Sequence, residues 1–311
     1  MLLEIALVIL PVFILVTIGF ISSYIQLLKR YSVDGLTKFC QDFAIPFLLF
    51  FNLAILDLDK AFDFRILICF YSSMVISFVI ISCTSYFIFE QPYKSSIILG
   101  FCAMFSNGVL LGLPISELAY GVDSLSINYT IIIGHAPLCY FVGIVFIEVG
   151  NNKKNTILVT LKSSLKAILF NNLAIGILLG ISFNLLKFEF STFTHDLLKK
   201  GTVWIIPISL FTMGSVLYYY RITGSFRVPS AIILTSLLVQ PAVVYILGVY
   251  FWDIEIEILR NAVVMAAMAP GLNAYFFANL YGQCKAVVAT TILVSTGLTI
   301  FTSSFWIYLL S

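Results

Sequence analysis

Residues 101–121 read FCAMFSNGVLLGLPISELAYG, and residues 262–282 read AVVMAAMAPGLNAYFFANLYG. Both stretches are apolar runs interrupted in the middle. The first is broken by Ser106-Asn107-Gly108 and Gly112-Leu113-Pro114, the second by Ala269-Pro270-Gly271-Leu272-Asn273. Both close on Tyr-Gly, at Tyr120-Gly121 and Tyr281-Gly282, 161 positions apart. Proline removes a backbone donor and crowds the preceding turn, while glycine permits the dihedrals of unwound chain. The pattern therefore predicts that helix is lost over residues 107–114 and 270–273. Backbone groups freed in this way cannot face lipid, so a break at membrane depth must be buried in protein or line a cavity. Matching breaks in two halves of an apolar chain are the sequence pointer to a transporter's binding site.

The rest of the chain fits a membrane setting. Of its 311 residues 61% are hydrophobic and 10% charged, with a mean hydropathy of +1.07, where a soluble domain carries about 25% charge. The excess runs along the whole length, which predicts an all-α polytopic membrane protein. A net charge of +2 without a basic cluster excludes the footprint of nucleic-acid binding. The six cysteines (Cys40, Cys69, Cys83, Cys102, Cys139 and Cys284) stand singly, with no C-x-x-C pair. They read as small buried hydrophobes, so neither disulfides, a metal site nor a cofactor is expected. Motifs for phosphate-binding loops, zinc proteases and nucleophile elbows are absent, and with His135 and His195 as the two histidines an enzyme is not expected.

Spans of about 20 apolar residues fall at 3–25, 39–56, 66–89, 95–120 (broken) and 127–149, then at 165–186, 203–220, 230–252, 261–281 (broken) and 286–310. The 161-residue offset recurs across them. Gly19 maps onto Gly180, Ile45-Pro46 onto Ile206-Pro207, Leu49-Phe50 onto Leu210-Phe211, and Thr130 onto Thr291. The expected organisation is a first five-helix repeat (1–150), a central cytoplasmic loop (151–166) and a second five-helix repeat (167–311). Five is odd, so the second copy enters the membrane from the opposite side: ten transmembrane helices in two inverted repeats, with helices 4 and 9 broken. With both termini outside, eleven of the 17 lysines and arginines lie in cytoplasmic loops and six in outer ones, which sets the orientation.

The candidate site residues follow from the breaks. Each break starts a new half-helix whose free N–H groups suit an anion, and Asn107 and Asn273 add amide donors and acceptors. Gly108, Pro114, Pro270 and Gly271 shape the two segments. Pro46 and Pro207 mark kinks in the second helix of each half, and Asn52 lies further along the first of these. Two ionisable groups inside spans, Glu117 and His135, are candidates for ion coupling. For each candidate the bland alternative is a packed kink, an interhelical hydrogen bond or a buried, satisfied side chain. Asn184, at the end of the sixth span, carries no functional expectation, and its removal should be nearly silent.

The segments Ser106-Asn107-Gly108, Gly112-Leu113-Pro114, Pro270-Gly271-Leu272-Asn273-Ala274 and Tyr281-Gly282, with the Thr/Ser-rich stretch from Ala289 to Gly297, resemble the auxin efflux carrier family within the bile-acid, arsenite and riboflavin transporter superfamily. The short central loop looks like that of the bacterial permeases, which implies a bacterial plasma (inner) membrane. The resemblance implies a scaffold of helices 1, 2, 6 and 7, a transport domain with crossing helices 4 and 9, and elevator-type alternating access. It also implies an organic anion held near the crossing by Asn107 and Asn273. Ala269 and Gly271 stand where some members carry a further proline or polar residue.

The leading expectation is a secondary active or potential-driven carrier of a mono- or dicarboxylate. The alternative is a sodium-coupled symporter of a bulkier amphipathic anion such as a bile acid. Na+ or H+ coupling and a homodimer both stay open; apart from lipid, the expected partner is the small organic anion. The orientation is directly testable. A cysteine introduced at Asn152 should resist an impermeant thiol reagent in intact cells, and one added after Ser311 should label. The reverse pattern would overturn the assignment.

Overall fold

The structure is a computed structural model that describes residues 2–150, 171–220, 222 and 225–311. The predicted central loop lies outside the described residues, as does the start of the span predicted at 165–186. Every regular element among the described residues is helical. In chain order these are α1 (Leu2–Tyr24), α2 (Arg30–Phe39), α3 (Ile45–Ala54), α4 (Leu58–Ala61), α5 (Phe64–Cys83), α6 (Tyr93–Met104), α7 (Leu113–Tyr120) and α8 (Leu125–Gly150). They continue as α9 (Asn172–Leu185), α10 (Thr192–Val203), α11 (Ile205–Tyr218), α12 (Arg227–Leu234), α13 (Gln240–Ile246), α14 (Ile256–Ala266), α15 (Leu272–Tyr281) and α16 (Lys285–Leu309). Among the described residues, six continuous helices are long and apolar enough to cross a membrane alone: Leu3–Tyr24, Phe64–Ile88, Val122–Gly150, Thr192–Tyr218, Arg227–Phe251 and Lys285–Leu309.

Three prolines share one local device. Pro46, Pro114 and Pro241 each stand two residues after a single π-turn, at Cys40–Ala44, Gly108–Gly112 and Thr235–Val239. A proline in a helix lacks the N–H for the carbonyl four residues back and its ring collides with that carbonyl; the wider turn relieves the collision. At Pro241 the carbonyl left without its usual partner is that of Leu237, and the indole N–H of Trp306 donates to it at 3.0 Å. The kink expected at Pro46 is thus absorbed as a π-turn within continuous helix.

Two helices begin well before their apolar runs. The segment predicted at 39–56 starts at Arg30, and that predicted at 203–220 starts at Thr192. Their first stretches, RYSVDGLTKF and TFTHDLLKKGTV, are too polar for a hydropathy reading to count them as span. Ser191 caps the second by accepting from the Thr194 N–H. At α5, Asp63 accepts from the Arg65 N–H at 2.9 Å and binds its guanidinium through both carboxylate oxygens. That hydrogen-bonded cation holds the Asp63 carboxyl below its ordinary range.

Contacts divide the chain into two compact units that cut across the sequence halves. One comprises Met1–Leu10, Asp63–Ser164 and Tyr220–Ser311, the other Pro11–Phe62 and Leu165–Tyr219. The second unit therefore holds most of α1 with α2, α3, α4, α9, α10 and α11. Its packing rests on glycines that let backbones touch. A Cβ at Gly19 would run into the Phe211 carbonyl oxygen, and one at Gly180 would lie 2.7 Å from the Phe50 carbonyl oxygen. Gly19 and Gly180, like Phe50 and Phe211, are 161 positions apart, so the two contacts repeat one another with the halves exchanged. Close helix approach of this kind is how apolar helices gain van der Waals contact in lipid. Asn184 is not silent: its Nδ2 donates to the Leu53, Ala54 and Leu56 carbonyls at 2.9, 3.3 and 2.6 Å. It closes the C-terminal end of α3, whose last carbonyls have no helical partner.

Valine at Gly19 or Gly180 should lower stability by about 1–3 kcal/mol or more through overpacking. Gly201, where a Cβ would meet the Phe47 ring at 3.5 Å, an ordinary contact, should tolerate alanine. Melting temperatures of the three purified variants test this, and parent-like melting at both Gly19→Val and Gly180→Val would refute it.

Candidate functional site

The two interrupted stretches meet in the first unit. The chain loses helix over residues 105–107 and again over 267–271. Ser106 and Pro270 pair antiparallel. The Asn107 N–H donates to the Ala269 carbonyl at 2.8 Å, and the Gly271 N–H donates to the Phe105 carbonyl at 2.9 Å. Each break thereby satisfies backbone groups that the other has freed.

The breaks are shorter than the sequence predicts. Gly108 opens the π-turn directly, with the Leu111 and Gly112 N–H groups both donating to the Asn107 carbonyl at 3.1 Å. Pro114 lies inside α7, and Asn273 lies in the first turn of α15. Glycine and proline mark that a helix is interrupted; how soon it resumes depends on the partner segment that takes up the freed donors.

Further groups complete the end of α6. The Ser236 hydroxyl donates to the Ala103 carbonyl at 3.1 Å, and the His135 ring hydrogen-bonds the Met104 carbonyl. His135 is buried, lies 4.8 Å from the Phe105 ring and leaves its Nε2 without a partner among the described residues. It therefore acts on the broken helix as a cap. The Phe101 and Phe277 rings stack at 3.8 Å with an interplanar angle of 4°. Gly143 lies beneath them, where a Cβ would approach the two rings at 2.7 and 2.8 Å. A Cβ at Gly108 would lie 2.6 Å from the Met265 methyl, so this glycine admits Met265 beside the π-turn.

The two crossing asparagines have different surroundings. Asn107 is buried, and its Oδ1 accepts from the Leu110 N–H at 3.4 Å, capping its own helix. Asn273 is half-buried, with its Oδ1 3.5 Å from the Tyr140 hydroxyl, at the outer limit of a hydrogen bond. Gly271 at the start of α15 supplies no side-chain cap. Tyr140 and Ser236 carried no sequence signal, because each reaches the crossing from a distant helix. Pro270 and Gly271 are buried in the break itself, and Glu117 is half-buried on α7. Asn52 belongs to the other unit, where its Nδ2 donates to the Leu48 carbonyl one turn back at 2.8 Å. The hydroxyls of Thr291, Ser295 and Thr296 bond carbonyls of their own helix α16.

A helical chain with several apolar spans and paired internal breaks defines a membrane transporter. The family model described as "Membrane transport protein" matches residues 5–307. The chain belongs to this family, which is that of the auxin efflux carriers. No curated protein matches it.

Replacing His135 with leucine leaves the Met104 carbonyl without its donor and should cost about 1–3 kcal/mol. His135→Gln, which retains a donor, should recover part of it. Equal melting of the parent and His135→Leu proteins would show that this cap carries no weight.

Proposed function

We propose that the chain is a secondary carrier of a small organic anion, a mono- or dicarboxylate, bound where the two breaks cross. The observation that carries this reading is the start of α15. It has no side-chain cap, its first-turn residues Leu272 and Asn273 are partly exposed, and the Asn273 amide and Tyr140 hydroxyl stand beside it. Helix-start amides carry partial positive charge and favour an anion. No lysine or arginine falls within residues 105–121 or 267–282, so the carboxylate is held by dipoles and amides without a full counter-charge. Asn107, Gly108, Pro114, Pro270 and Gly271 contribute by building the crossing.

The recurrence of element ends supports ten spans in two inverted five-helix repeats. α1 and α9 end at Tyr24 and Leu185, and α7 and α15 at Tyr120 and Tyr281, each pair 161 apart. In this reading α6 with α7, and α14 with α15, are the fourth and ninth spans. The unit that contains the crossing carries the substrate in an elevator-type cycle, and the other unit serves as the scaffold. Both termini face outward in a plasma membrane. Glu117, on the helix that leaves the first break, is the candidate for proton coupling. His135 is better accounted for by its cap.

Uptake of labelled carboxylates into proteoliposomes under imposed proton, sodium and voltage gradients tests the reading. Loss of one hydrogen bond to a charged ligand costs about 1.5–3 kcal/mol, so Asn273→Ala should weaken affinity by roughly ten- to more than a hundredfold. Asn279→Ala, exposed on the same helix, should behave like the parent. Asn107→Ala should also lower the melting temperature, because a helix cap is worth about 1 kcal/mol. Parent-like affinity in a folded Asn273→Ala protein would place the substrate elsewhere.

A further inference from the structure

The repeated Tyr-Gly has a local role and a second one. Gly121 and Gly282 end α7 and α15 with φ of 83° and 71°, a region glycine enters without a Cβ penalty. Each tyrosine before them carries a cation from the opposite half. The Arg260 guanidinium lies 4.4 Å from the Tyr120 ring centroid, and the Lys94 ammonium 5.0 Å from that of Tyr281. Each cation stands near the start of the helix that leads into one break; each tyrosine closes the helix that leaves the other.

At the Tyr120 end, the carboxylate paired with Arg260 is that of Glu257, 3.8 Å from Nη1 and 77% exposed. Such a pair is loose and screened by solvent. Two donors there are buried without partners among the described residues, the Arg260 Nε–H and the Tyr120 hydroxyl. Buried donors left unmade are costly, and a carboxylate has two acceptor oxygens with which to satisfy both and a charge to pair with the guanidinium.

We propose that Arg260 and Tyr120 form a carboxylate-binding station, separate from the crossing, that captures the organic anion before it reaches Asn273. Arg260 supplies charge and the Nε–H donor, and the Tyr120 hydroxyl donates to the second oxygen. The station rests on the anion-carrier reading for its purpose, but its binding is measurable alone.

The test is benzoate titration of the full-length protein in detergent, with chloride balancing ionic strength and binding read by calorimetry. Arg260→Gln should weaken one benzoate-binding event roughly tenfold or more, the scale of one lost charge-assisted hydrogen bond. Tyr120→Phe should weaken the same event less. Arg260→Lys, which retains the charge over the ring but lacks the Nε–H, should fall between parent and Arg260→Gln and controls for folding. The Arg260-dependent event should persist in Asn273→Ala. If it persists there and Asn273→Ala changes neither binding nor uptake, the station stands and the crossing reading fails. Equal benzoate affinity in parent and Arg260→Gln overturns the station, whether or not Asn273→Ala is impaired. So does an absence of any benzoate binding by the parent at tens of millimolar.

Discussion

Two backbone hydrogen bonds, Asn107 N–H to Ala269 and Gly271 N–H to Phe105, are the interaction on which the first unit depends. A helix interrupted among apolar neighbours exposes donors and acceptors that hydrocarbon cannot satisfy, at a cost of several kcal/mol each. One break alone would need water or many side chains. Two breaks laid antiparallel satisfy each other, and the remaining carbonyls at the end of α6 are met by Ser236 and His135. The stacked rings of Phe101 and Phe277, seated over Gly143, hold the crossing helices at a fixed separation.

The crossing is not symmetric. On one side Asn107 spends its carbonyl and its side-chain oxygen on its own helix start, which turns that terminus inward. On the other, Gly271 spends its backbone N–H on Phe105 and its carbonyl on the Ala274 N–H, but it has no side chain, so the first turn of α15 keeps donors that no cap covers. Two half-helix starts that look alike in sequence therefore differ in what they can offer a ligand.

The second unit follows the same physics without a break. Gly19 against Phe211 and Gly180 against Phe50 bring backbones into contact where larger residues would hold helices apart. Asn184 supplies the polar closure of α3. Its three carbonyl partners lie about 130 residues away in the chain, which is why a residue at the end of a span looked dispensable.

The sequence by itself determined the membrane class, the positions of both interruptions, the helix stops at Tyr-Gly and the 161-residue recurrence. These are local properties: hydropathy, the missing donor of proline and the missing Cβ of glycine act wherever the chain places them. It overextended the breaks and misjudged two helix starts, because the point where a helix resumes or begins depends on partners for its free amides. Only the tertiary structure decided that Asn107 caps and Asn273 stays available, that His135 serves a carbonyl, and that Arg260 covers Tyr120. The last two are pairings between residues far apart in the chain, and composition and spacing carry no record of which groups folding brings together.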